Sequence, residues 1–209
     1  MTPDVSAESV VLATDDGERL EAELVLVPDA HAIAVLCHPH PQHGGDMRSL
    51  VVSELFRAFP PAGISCLRFN FRGVGASTGA WAAGTGERLD VRSAIQYSTA
   101  RSDQRVVLVG WSFGADLALS DRDPSIAAWV AIAPPLRFGD QVDATGADPR
   151  PKLIMLAEHD EFRPADEVAE RTASWQSCTT EIVGGASHFF VGRTARLVDR
   201  TTEWISALR

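Results

Sequence analysis

Apolar and polar positions fall in alternating blocks along this chain. Val106-Val107-Leu108-Val109 is wholly apolar, largely β-branched and uninterrupted, the mark of a strand covered on both faces. Ala32–Cys37, 64–69, Ile126–Ile132 and 152–156 repeat the pattern, and a last strand is expected over 179–183. Between them the spacing turns helical: Leu50, Val51, Leu55, Phe56 and Phe59 share one face of a helix over 49–59 that Pro60-Pro61 stops. Further helices are expected around 86–100, directly after Gly114, after Pro164 to about Trp175, and through Leu197, Val198, Trp204 and Ile205. Near the start, 9–13 and 20–27 flank the turn Thr14-Asp15-Asp16-Gly17-Glu18 and predict an antiparallel hairpin. Residues 136–151 are polar with glycine and proline, and are expected to form a loop or short excursion. Regular β-α alternation predicts an α/β fold. Its central sheet should be mainly parallel, with helices on both faces, an N-terminal antiparallel hairpin, and a site at the carboxyl ends of the strands.

Composition narrows this picture. With 209 residues, 45% hydrophobic and 22% charged, one domain over 1–209 with little or no cap is expected. A formal net charge of -9 argues against nucleic acid as a partner, which a basic face would have to neutralise. The segment Met1 to Glu8 has neither a basic nor an apolar leader region, and the longest apolar run, 126–136, holds two prolines and is too short for a bilayer. Three cysteines, Cys37, Cys66 and Cys178, lack metal spacing and fit reduced thiols in a cytoplasm. No membrane partner is expected, the partner is a small-molecule substrate, and a homodimer is left open.

The candidate chemistry begins at Gly110-Trp111-Ser112-Phe113-Gly114. Gly-x-Ser-x-Gly arises by chance in a chain of this length with a probability of roughly 0.07, so the flanking pattern decides. A buried strand before it and a helix after it are the context of a nucleophile elbow, which makes Ser112 the candidate nucleophile. A serine hydroxyl needs a base and an acid that orients the base. Asp160 and His188 each fall just after a predicted strand, and the order Ser112, Asp160, His188 is nucleophile, acid, base. Glu158, Glu161 and Asp166 are rival carboxylates in the same acidic loop.

Four segments extend the reading: Cys37-His38-Pro39-His40-Pro41 with Gly44-Gly45-Asp46-Met47; Leu67 through Ser77, including Asn70-Phe71-Arg72-Gly73; the elbow; and Gly185-Ala186-Ser187-His188-Phe189-Phe190. In these the chain resembles the α/β-hydrolase superfamily along nearly its whole length, and more narrowly its small, nearly capless bacterial serine hydrolases with a His-Pro-His-Pro loop. Ala157 departs from the glycine usual three residues before the acid. The resemblance implies Ser112, Asp160 and His188 as a catalytic triad. In that setting the Phe113 N–H is one oxyanion donor. The second should come from the loop after the third strand, where Pro39 and Pro41 have no N–H; by analogy with the superfamily's His-Gly-x loop it is His40, with Gly44 or Gly45 as fallback. Trp81, Phe138, Phe162 and Phe189 are candidate pocket walls.

His38, His40 and His43 invite a metal reading, but no carboxylate or thiolate set completes a site, so none is assigned. Gly73-x-Gly75 lacks the remaining residues of a phosphate cradle. No cofactor is implied. The expected activity is hydrolysis of carboxylic esters, of small or short-acyl substrates, through an acyl-enzyme on Ser112. Thioester, lactone or amide cleavage by the same triad stays open, as does a non-catalytic binding protein.

Overall fold

Residues 6–208 are described in a computed structural model of the chain; the leader reading rests on residues 1–8, of which 1–5 lie outside the described residues. Eight strands form one sheet: β1 (Glu8–Ala13), β2 (Arg19–Val25), β3 (Ala32–Cys37), β4 (Ser65–Phe69), β5 (Arg105–Trp111), β6 (Ile126–Ile132), β7 (Lys152–His159) and β8 (Cys178–Ser187). Their spatial order is β1-β2-β4-β3-β5-β6-β7-β8. The pairs β1/β2 and β2/β4 are antiparallel and all later pairs are parallel. Six helices lie between and after the strands: α1 (Leu50–Ala58), α2 (Thr85–Arg101), α3 (Phe113–Ser120), α4 (Gly139–Gly146), α5 (Ala165–Thr172) and α6 (Thr194–Ser206).

The two-sided burial expected of the apolar runs follows directly from the period of two in a strand. On β5, Val106 and Leu108 pack with Val91 and Ala94 of α2 and Leu117 of α3. Val107 and Val109 point the other way, to Val51 and Leu55 of α1 and Leu197 and Ile205 of α6. Each face of the sheet therefore has its own core. Among the described residues no helix is long and apolar enough to cross a membrane.

Two segments differ from the sequence-based expectation. The stretch expected as a loop or short excursion contains α4, anchored by fully buried Val142 and Thr145. One buried aliphatic in eight residues is too weak a period to announce a helix. The last strand runs past the expected end at Val183 to Ser187, through Gly184-Gly185. The Glu158 carboxylate accepts the Gly185 N–H at 2.7 Å, and after a register shift at Ala157/His159 the ladder resumes with His159 beside Ser187. This extension carries β7 and β8 to the same edge.

The glycine-rich loop after β4 is held by a buried charge pair. Arg72 donates from Nε and Nη2 to Asp90 of α2 at 3.0 and 2.7 Å, and from Nη1 to Asp16 of the first hairpin at 2.8 Å. The Asp90 side chain is fully buried and that of Arg72 nearly so. Removing Asp90 leaves the buried Arg72 guanidinium with Asp16 as its one remaining ion-pair partner, and breaking a buried pair costs up to about 3–5 kcal/mol. Asp90→Ala should lower the unfolding free energy on that scale, read as a lower urea midpoint at unchanged slope. A loss below about 1 kcal/mol, the scale of solvated pairs, would contradict this role.

Candidate active site

Ser112, Asp160 and His188 each follow immediately on the last residue of a strand, β5, β7 and β8 respectively. Parallel pairing brings these three ends to one edge of the sheet. At the first, the chain turns sharply: Ser112 has φ 56° and ψ -120° before entering α3, a conformation a non-glycine residue holds only under constraint. Its N–H donates to Ile132 O at 2.8 Å, which fixes the turn to β6. Glycine is required on either side. A Cβ on Gly110 would overlap the Gly114 carbonyl, and one on Gly114 would overlap the carbonyls of Cys37 and His38.

His188 bridges the other two residues. Its Nε2 lies 2.9 Å from Ser112 Oγ and its Nδ1 2.8 Å from Asp160 Oδ2. The imidazole is held by its backbone as well: Trp111 Nε1 donates to His188 O at 3.2 Å, and the His188 N–H donates to Glu161 Oε2 at 3.2 Å. Asp160 Oδ1 accepts the N–H groups of Phe162 and Arg163 at 2.9 and 3.1 Å. Burial alone would raise the Asp160 carboxyl, but the His188 contact and these two amides hold it below the usual range. Of the rival carboxylates, Glu158 is bonded to Gly185, Glu161 to the His188 amide and Asp166 to the Glu167 amide. Only Asp160 is bonded to the imidazole.

The loop after β3 is fastened from within. His38 is buried; its Nδ1–H donates to Pro39 O at 2.6 Å and its Nε2 accepts the Phe71 N–H at 3.1 Å. Those two contacts define a neutral ring, and burial lowers its pKa to about 4. Further along, the amides of Gln42, His43, Gly44, Gly45, Asp46 and Met47 donate to His40 Nδ1, His40 O, Pro41 O, His40 O, Ser49 Oγ and Asn70 Oδ1. From Pro39 to Met47 this leaves the His40 N–H without a protein acceptor among the described residues. The same is true of the Phe113 N–H at the start of α3.

Both residues border a cavity of about 700 Å³ into which Ser112 and His188 open. Trp81, Phe138, Phe162 and Phe189 all line it, so the four aromatic residues expected at the pocket are brought together there. The His40 ring stacks 4.5 Å from Trp81 and 5.1 Å from Phe113, and Phe162 lies 4.7 Å from His188. Strain gathers here too: Ala83, Ser112, Leu136 and Phe190, all at positive φ, line the cavity or adjoin a residue that does. Among the described residues no cluster of three or more His, Cys, Asp or Glu is arranged to hold a metal ion.

With this geometry in hand, comparison with known proteins is informative. No protein-family model matches the chain. An α/β serine hydrolase homologue from Coxiella burnetii is 30% identical, covers 97% of both chains and superposes with a TM-score of 0.81. The chain belongs to the α/β-hydrolase family. XC6422 from Xanthomonas campestris, described as an α/β serine hydrolase without lid, is 29% identical over 95% of this chain and 93% of its own, with a TM-score of 0.84. The uncharacterised protein RP471 of Rickettsia prowazekii is 31% identical over 204 residues, 91% of this chain and 86% of the relative.

Two groups that shape the site of this α/β hydrolase, Trp111 and Asp116, were not singled out by the sequence. Trp111 was visible only as the variable residue before the serine, and its indole bond spans 77 positions. Asp116 was hidden in the helix after the elbow; buried, it accepts the N–H groups of Leu136 and Arg137 at 2.8 and 2.6 Å and fixes one wall of the cavity. His38 yields a measurable pH dependence. Its folded pKa lies below its unfolded value near 6.5, so protonation favours the unfolded chain. Its contribution is complete above about pH 6.5 and falls away toward pH 4, by up to about 3 kcal/mol. Urea melts across that window should show a steeper pH slope for the wild type than for His38→Gln. Identical slopes would contradict a buried neutral His38.

Proposed function

We propose that this α/β hydrolase cleaves carboxylic esters through an acyl-enzyme on Ser112. One observation carries the reading: the unbroken hydrogen-bonded chain from Ser112 Oγ through His188 to Asp160, at the floor of an open aromatic cavity. Ser112 Oγ attacks the ester carbonyl while its proton passes to His188 Nε2. The Nδ1–H bond to Asp160 holds the tautomer that leaves Nε2 free to accept, and its carboxylate stabilises the imidazolium that forms.

Negative charge then develops on the carbonyl oxygen. The unengaged amides of Phe113 and His40 are the donors proposed for it, the former also standing at the positive end of α3. Gly44 and Gly45, the fallback donors, have their amides committed to Pro41 O and His40 O, which favours His40. The intermediate collapses as His188 returns its proton to the leaving alcohol. Water, activated by the same imidazole, then hydrolyses the acyl-enzyme. At about 700 Å³ the cavity is within the range that holds drug-sized ligands. That volume leaves room for the small or short-acyl substrates expected from the sequence.

Removal of the nucleophile or of the orienting acid should separate chemistry from folding. Ser112→Ala should retain the wild-type melting curve and lose turnover of 4-nitrophenyl butyrate. Asp160→Asn should lower kcat by about 10⁴, the scale of a triad with its tautomer wrongly set. Steady-state kinetics on both, with circular dichroism as the folding control, provide the check. Activity within tenfold of wild type in either variant would contradict the assigned roles.

A further inference from the structure

We propose that Arg137 recognises a carboxylate at the far end of the substrate, so that the preferred substrates are esters whose apolar acyl group ends in an anion. This reading rests on the ester hydrolysis proposed above and assigns its substrate class. Two cavity-lining residues belong to strongly ionising types, Asp116 and Arg137. Asp116 is 1% exposed, and its two carboxylate oxygens are taken by the Leu136 and Arg137 amides. Its charge is spent on holding the wall. The Arg137 guanidinium, by contrast, makes no hydrogen bond or ion pair among the described residues, although its backbone is fixed by Asp116. Arg171, which reaches the same wall from α5, differs: it donates to Leu136 O at 2.7 Å and to Asp143 at 3.2 Å.

The surroundings of Arg137 favour such a contact. Phe138 follows it in sequence and lines the same cavity, with its ring centroid 6.1 Å from that of Phe113, and Trp81 lies 5.1 Å from Phe113. Arg137 also acts on His40: together with burial and His43, its charge lowers the proton affinity of that imidazole. A chain with formal net charge -9 repels anions in general. One free guanidinium beside an apolar slot reverses that locally, and its planar fork matches a carboxylate. An ester group at Ser112, an apolar span along the aromatic rings and a carboxylate at Arg137 satisfy the cavity's three chemistries together.

The test compares methyl esters of straight-chain monocarboxylic acids with monomethyl esters of dicarboxylic acids of equal length, using wild type, R137Q and R137K. The wild type should favour the anionic member of a pair, mainly through KM. R137Q should lower that preference about tenfold, the scale of one charge-assisted hydrogen bond, with R137K in between. An equal preference in wild type and R137Q would overturn the proposal. Should the wild type hydrolyse neither ester of any pair, the ester reading fails, and binding decides Arg137 by itself. Adipate should then raise the melting temperature of S112A but not of S112A/R137Q, whereas equal shifts, or none in either, would overturn the assignment.

Discussion

Everything in this site depends on one imidazole being held between two groups that arrive from different strands. His188 touches Ser112 on one ring nitrogen and Asp160 on the other, and both contacts are shorter than 3 Å. Tolerances that narrow require three strand ends in register. The extended β7/β8 ladder supplies two of them, and the strained turn after β5 supplies the third. The backbone of His188 is clamped as well, at its carbonyl by Trp111 and at its amide by Glu161. The elbow therefore does more than present a serine, because its neighbouring indole also locates the base.

The parts of this arrangement that were legible in the sequence are those that leave a local period. Apolar runs announced β3, β5 and β6, since a strand buried on both faces is nearly continuously hydrophobic. The glycines around Ser112 announced the elbow, because only glycine allows backbone to approach so closely there. Asp160 and His188 were found by their position after strands, and the geometry brings both to Ser112. What stayed hidden is what tertiary contact decides. Val142 anchors an otherwise polar helix, and Glu158 holds the Gly185 amide in the extension of the last strand. The amide of His40 stands out only once the partners of its loop neighbours are known.

Charge is distributed with the same economy. Buried ionised groups near the cavity are engaged in structure: Arg72 with Asp90 and Asp16, Asp116 with two backbone amides, Asp160 with His188 and two more. Arg137, an exposed residue bordering the cavity, has no such protein partner among the described residues, and the proposed carboxylate contact starts from that difference. The same partition separates the fixed distances of the Ser112–His188–Asp160 chain from the aromatic wall of the cavity.

The central claim is that Ser112 is the residue that becomes acylated, and covalent capture tests it most directly. Treatment with a fluorophosphonate, followed by peptide mass spectrometry, should place a single adduct on Ser112, with labelling greatly slowed in His188→Ala. An adduct on another residue, or undiminished labelling after loss of His188, would contradict the account.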